Sequence, residues 1–237
     1  MKADSQKPSL WQEESTIEGM PEFIKYYQQA TDFKQREKDW LRSSQVLSQG
    51  NWRLVRSKGP SWQGCWLGKR GLALPFTLEI SSNLENTNQK QVNLSSPSLM
   101  LPDKSYYEDE GAKKRMMDPL EKAFKEALKK LGYSEKESEK IVKEALEFDG
   151  ELAKYAQSNE ETSEIKNLHH PKTAEDINAY SDTFKFHDII NDYLGQEAGD
   201  VNVPNPKYYE NFAKVVNDKN FAKLKSWILV KQSRISI

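Results

Sequence analysis

Pro97 and Pro102 bracket the stretch Pro97-Ser98-Leu99-Met100-Leu101-Pro102, and this pair constrains the fold more than any other feature of the chain. Each proline lacks a backbone N–H donor, so the segment between them runs extended and presents Leu99, Met100 and Leu101 to a core rather than continuing a helix or a central strand. The residues before it have a period of two. Leu74-Pro75-Phe76-Thr77-Leu78-Glu79-Ile80 puts Phe76, Leu78 and Ile80 on one face, and Val92 and Leu94 alternate in the same way after a polar loop. This predicts a β-hairpin over residues 74–95. Beyond Pro102, a turn at Asp103-Lys104-Ser105 leads into sequence with helical spacing.

The helical region spans residues 103–230. Met116, Met117, Leu120, Phe124, Leu128 and Leu131 form one stripe, and Gly132 supplies a stop. Pro119 leaves two readings open, a fresh helix start capped by Asp118 or a kink in a longer helix. Ser134 and Glu137 have capping-box spacing ahead of Ile141, Ala145, Phe148, Leu152 and Tyr155. Thr173 and Asp176 cap a short helix carrying Ile177 and Tyr180. Phe186, Ile189, Ile190 and Tyr193 precede Gly195. Asn205 caps a helix with Pro206, Tyr209, Phe212 and Val216, and a last one carries Phe221, Leu224, Trp227 and Ile228. A further amphipathic helix is predicted from about Pro21 to Lys38, with Phe23, Tyr27, Ala30 and Phe33 on its buried face. The fold class is therefore mainly α with one β-hairpin, and aromatic residues at helical spacing read as core rather than as a cofactor box.

With 36% hydrophobic and 30% charged residues, the chain can build a core with very polar faces. No apolar run approaches the ~18 residues of a membrane span, and Met1 to Pro8 lacks the apolar centre of a signal peptide. The expected location is cytoplasmic, with no membrane partner. Cys65 is the single cysteine, so no intramolecular disulfide forms. A net charge of -1 gives no overall nucleic-acid footprint.

The residues themselves, beyond their pattern, resemble one family. Leu74-Pro75-Phe76, the hairpin, Pro97 to Tyr107 and the acidic helix start after it look like the N-terminal half of the neprilysin-type zinc metallopeptidases, closest to their bacterial oligoendopeptidase O (PepO) branch. Ile24 to Ala30, Leu131-Gly132-Tyr133-Ser134, Ala145-Leu146-Glu147-Phe148-Asp149, Tyr208-Tyr209-Glu210 and Leu224-Lys225-Ser226-Trp227 match in the expected order, so the likeness covers most of residues 16–230. It implies that residues 1–237 are a partial N-terminal metallopeptidase domain, a helical lobe whose catalytic zincin half is absent. The complete enzyme would hydrolyse oligopeptides with zinc-bound water, and the missing C-terminal half would be the partner of this chain.

A zincin needs two histidines one helical turn apart with an intervening glutamate, and no H-E-x-x-H occurs here. His169, His170 and His187 are the only histidines, and none has a second histidine four residues away. No catalytic, cofactor-binding or metal residue is assigned, and zinc is expected only in the complete family enzyme. Asn178-Ala179-Tyr180 imitates the family's substrate-backbone motif but lies in the wrong place, so it reads as part of the short helix after Thr173.

Residues 39–70 stand apart. Between Asp39 and Glu79 there is no acidic residue, while Arg42, Arg53, Arg56, Lys58, Lys69 and Arg70 give +6, and Trp40, Trp52, Trp62 and Trp66 lie at its edge or within it. Basic residues interleaved with aromatics suit a single nucleic-acid strand. The family has acidic, apolar helical sequence here, and the glycine-rich stretch Ser61 to Gly71 keeps neither helical nor strand period. The preferred reading is an out-of-frame segment flanked by compensating shifts, with no nucleic-acid partner. The expected function is the N-terminal portion of a PepO-like endopeptidase, inactive alone; the alternative is a standalone helical peptide- or protein-binding module.

Overall fold

The computed structural model describes residues 73–182 and 184–233. The predicted helix over 21–38 and the segment 39–70 lie outside the described residues. Strands β1 (Thr77–Ser82) and β2 (Lys90–Ser95) pair antiparallel, with Leu78 opposite Leu94 and Ile80 opposite Val92. Phe76 lies just before β1 and is buried, while Ile80, on the same side of the alternation, is 60% exposed. The hairpin is also not alone. Two-residue strands β3 (Pro171–Lys172) and β4 (Val201–Asn202) extend it into a sheet ordered β1-β2-β4-β3, with β2 and β4 parallel at Asn93 and Asn202. Strands this short carry no periodicity, and so no signal in the sequence.

After the Pro97–Pro102 segment come α1 (Ser105–Glu108) and α2 (Glu110–Lys130). Asp109, not Asp118, caps α2, accepting from the Gly111 and Ala112 amides at 2.8 and 3.0 Å. Pro119 therefore sits inside one continuous helix, which decides between the two readings. Gly132, with φ +93°, ends it: its amide bonds the Lys129 carbonyl and the Tyr133 amide bonds that of Leu128, the paired closure that a left-handed residue permits. Helix α3 (Glu135–Ala153) then opens with the expected capping box of Ser134 and Glu137.

Beyond it lie α4 (Asn159–Ser163), α5 (Ala174–Ala179), α6 (Phe186–Leu194), α7 (Pro206–Glu210), α8 (Phe212–Val215) and α9 (Phe221–Ser233). The single helix expected after Asn205 is two, because the chain leaves helical geometry at Asn211 (φ -110°, ψ 7°). Helix α4, capped by Ser158 with Glu161, is polar on every side and so carries no apolar stripe to betray it.

The main helical layer is α9 lying along α3, with α2 against α3. Phe124, Leu128, Val142, Ala145, Phe148, Leu152, Leu224 and Trp227 are buried in its core. The aromatic part of the same core joins this layer to the hairpin. Phe76, Phe184, Phe186, Tyr209 and Phe212 meet mostly edge to face, with Phe76 and Phe186 centroids 5.5 Å apart and Phe186 and Phe212 5.0 Å apart. The phenols of Tyr208 and Tyr209 donate to the carbonyls of Pro75 (2.6 Å) and Ser95 (2.7 Å), bolting α7 to both strands at the open end of the hairpin.

Candidate functional site

Two buried polar centres sit within this frame. The first is Asp149, on the apolar face of α3 and fully buried. Its Oδ1 accepts from Trp227 Nε1 at 2.8 Å; its Oδ2 accepts from the Met100 amide at 2.9 Å and from the Tyr107 hydroxyl. The Tyr107 oxygen in turn accepts from the Leu101 amide at 3.1 Å. Burial pushes the Asp149 carboxyl above the usual carboxylate range, against the three donors that favour its charge. Burial, and then the neighbouring Asp149 charge, push the Tyr107 phenol up, so it keeps its proton. A proline-bracketed segment has no strand partner for its amides, and this carboxylate supplies one.

The second centre lies on the sheet. Asn202 donates from Nδ2 to Asn93 Oδ1 (2.9 Å) and to the Leu168 carbonyl (2.8 Å), and its Oδ1 accepts from the His170 amide (2.7 Å). Asn93 Nδ2 continues the chain to Ser81 Oγ at 2.8 Å. Four elements are thus tied by one side-chain ladder, from β1 through β2 and β4 to the strand entry at His170.

Beside this ladder opens a cavity of about 560 Å³ between the hairpin loop and the Leu194–Asp200 connection. Glu85, Lys90, Gln91, His169, Glu197 and Asp200 contribute its polar lining. His169 Nε2 lies 3.1 Å from Glu85 Oε1. Gln91, 6% exposed, keeps an Oε1 with no hydrogen-bond partner, and His169 Nδ1 has none either.

The other histidines are placed differently. His170 bonds through its backbone, its amide to Asn202 and its carbonyl to the Val203 amide. His187 is buried with both ring nitrogens engaged: Nε2 lies 3.0 Å from the Ala198 carbonyl and Nδ1 3.2 Å from Asn191 Nδ2. These contacts require the proton on Nε2. Asn178, from the motif that imitates a substrate clamp, accepts from the His187 amide at 3.0 Å, and Ile177 beside it is fully buried. Among the described residues no three His, Cys, Asp or Glu side chains stand together in a way that holds a metal ion.

A charged groove also runs along α2 and α3, lined by seven lysines and five glutamates. It is largely neutralised by its own pairs: Lys125 to Glu121 (2.7 Å), Lys223 to Glu147 (2.9 Å) and Lys154 to Glu151 (2.7 Å). Among the described residues no helix is long and apolar enough to cross a membrane.

Residues 3–235 match the N-terminal model of peptidase family M13. The chain belongs to that family. Among curated M13-like relatives, the neutral endopeptidase of Lactobacillus helveticus is 31% identical over 159 residues, 67% of this chain and 24% of that protein. The neutral endopeptidase of Lactococcus lactis subsp. cremoris is 30% identical over 162 residues, 68% and 26% respectively. The chain thus spans about a quarter of the length of these relatives. Its fold is that of PepO from Lactobacillus rhamnosis HN001, with a TM-score of 0.72 at 17% identity over 92% of this chain and 35% of that one. The zinc metalloprotease ZMP1 of Mycobacterium tuberculosis has the same fold, with a TM-score of 0.66 at 15% identity over 84% and 31%.

The segments that resemble the family in sequence now have a physical meaning. Met100 and Tyr107 from the proline-bracketed block, Asp149 from Ala145 to Asp149, and Trp227 from Leu224 to Trp227 are three separate matches, and they meet at one carboxylate. Sequence reasoning assigned Asp149 no role, although its signal was present. It stands four residues after Ala145 and three before Leu152, on the buried stripe of an amphipathic helix. Gln91 and Asn202 had no comparable signal, since one lies in an alternating strand and the other in a two-residue one.

Proposed function

We propose that this chain is the N-terminal lobe of an M13 zinc endopeptidase acting on oligopeptides, and that by itself it hydrolyses none. The observation that carries the reading is the convergence of three family motifs on Asp149, which builds the lobe as a scaffold with no reacting group at its centre. Two facts support inactivity. The sequence contains no H-E-x-x-H, and His187 uses both ring nitrogens in structural hydrogen bonds. A cytoplasmic location and a C-terminal catalytic half as partner belong to the same proposal. So does out-of-frame translation of residues 39–70, for which the run of six basic and no acidic residues between Asp39 and Glu79 speaks.

The test is direct. The purified chain is incubated with zinc and a mixture of fluorogenic oligopeptides, alone and after co-expression with the C-terminal half of a PepO relative. The expected result is no cleavage alone and chelator-sensitive cleavage by the pair. Zinc-restored cleavage by the isolated chain would overturn it. Sequencing the coding DNA across codons 39–70 in all three frames tests the frame proposal, which fails if no other frame yields acidic helical sequence.

A further inference from the structure

The connection from α6 to β4, Gly195 to Asp200, is closed by a ring of three hydrogen bonds, and each link can run in one direction only. The Ala198 amide can only donate, and it donates to Asn191 Oδ1 at 2.7 Å. That fixes the other end of the same side chain: Asn191 Nδ2 donates to His187 Nδ1 at 3.2 Å. The Ala198 carbonyl can only accept, so His187 Nε2–H donates to it at 3.0 Å. The ring begins and ends on one backbone residue, so no amide flip or change of tautomer satisfies all three links again. Its helix side is held in place, since His187 is buried and its amide donates to Asn178 Oδ1 of α5 at 3.0 Å. On the connection itself Ala198 is buried while its neighbours Glu197 and Gly199 are exposed.

A second proton on the imidazole goes to Nδ1, the atom that accepts from Asn191. An imidazolium has two donors and no acceptor. Turning the Asn191 amide to meet it would set Nδ2 against the Ala198 amide, donor to donor, so one link is lost either way. Losing it should weaken closure of the connection about tenfold. The charged groups on the elements packed here are Glu175 and Asp176 of α5, Asp182 and Lys185 ahead of α6, Asp188 and Asp192 of α6, and Glu197 and Asp200 of the connection. The carboxylates are all exposed, where solvent screens them, and the ring nitrogens bond to none of these groups. We propose that His187, Asn191 and Ala198 form an acid-released clasp, closed while His187 is neutral and opened as it takes its second proton. Leu194 to Asp200 make one wall of the cavity beside the sheet, and β4 follows directly, so release opens that wall and loosens the chain entering the Asn202 ladder. The proposal does not depend on the peptidase reading.

Amide hydrogen exchange of the full 237-residue chain, followed from about pH 8 to about pH 5.5 to span the histidine range, tests it, with each rate divided by that of an unprotected peptide at the same pH. Protection at Ala198 is expected to fall about tenfold on acidification, while that at Tyr133, whose amide bonds the Leu128 carbonyl at the end of α2, stays constant. Asn191→Asp should reverse the sign: a carboxylate accepts from both the Ala198 amide and the imidazolium, so protection is highest in acid and lost as His187 becomes neutral. His187→Gln should remove the pH dependence, and His169→Gln/His170→Gln, which deletes the other two histidines, should leave it intact. Protection at Ala198 that does not change with pH would overturn the clasp. So would an Asn191→Asp chain that still loses protection in acid, or loss of the dependence in the His169→Gln/His170→Gln variant.

Discussion

The Asp149 centre and the Asn202 centre are both buried and polar, yet one lies within the helical layer and the other beside a cavity. Asp149 has two oxygens and three donors, all drawn from helices or from the proline-bracketed segment, and it is fully buried. Asn202 satisfies itself equally well, but its neighbours Gln91 and His169 hold acceptors that no protein group meets. The difference separates a polar group whose donors fix the fold from polar groups left without one. A buried carboxylate is tolerated when several donors meet it, as three meet Asp149, whereas a buried acceptor met by none keeps its full desolvation cost.

Breaking each centre should expose this contrast. Asp149→Ala strands the Met100 amide, the Trp227 indole and the Tyr107 hydroxyl together, and should cost about 3–5 kcal/mol of stability in urea unfolding. A loss under about 1 kcal/mol would mean that the carboxylate is not the hub described. Asn202→Ala leaves the His170 amide and Leu168 carbonyl unmet beside a cavity that water can enter, so about 2–3 kcal/mol is expected by the same measurement. Should Asn202→Ala prove the more damaging, the sheet ladder and not the helical layer organises the lobe.

The pH dependence sharpens the same comparison. The Asp149 carboxyl is held above its unfolded value, so the folded state binds more protons between the two. Its contribution to stability is therefore greatest on the acid side and declines as pH rises from the unfolded carboxylate range through the folded value. Asp149→Asn should remove that decline, seen as a converging pair of urea midpoints with increasing pH. Glu137 behaves oppositely. Its hydrogen bonds to Ser134 hold it below the usual range, so its contribution is present above the unfolded value and lost as pH falls through the folded one. The smallest effect is expected at that cap: Ser134→Ala should cost about 1 kcal/mol, read as a lowered melting temperature, without altering either centre.

Most of the helical frame was legible because its signals are local. The stop at Gly132, the boxes at Ser134 and Thr173, and Gly195 at φ +71° closing α6 all lie within a few residues of what they control. The hairpin was legible for the same reason, through its period of two. Where two local rules competed, at Pro119, the sequence offered both outcomes, and packing of Met117 and Phe124 on one continuous face decided for a single helix. The break at Asn211 and the two-residue strands were not legible, because each is set by partners far along the chain.

By itself, then, the sequence determined the family, the order of elements, the helix ends and the lack of an H-E-x-x-H, since all of these are written in adjacent residues or in short fixed spacings. Tertiary structure alone decided which polar residues would matter. Asp149 meets Met100 from 49 positions away and Trp227 from 78, and Asn202 meets Asn93 from 109. Hydrogen-bond partners that distant leave no periodicity behind, and only the closing of the core shows which lone pairs are filled and which, at Gln91 and His169, are left without a donor.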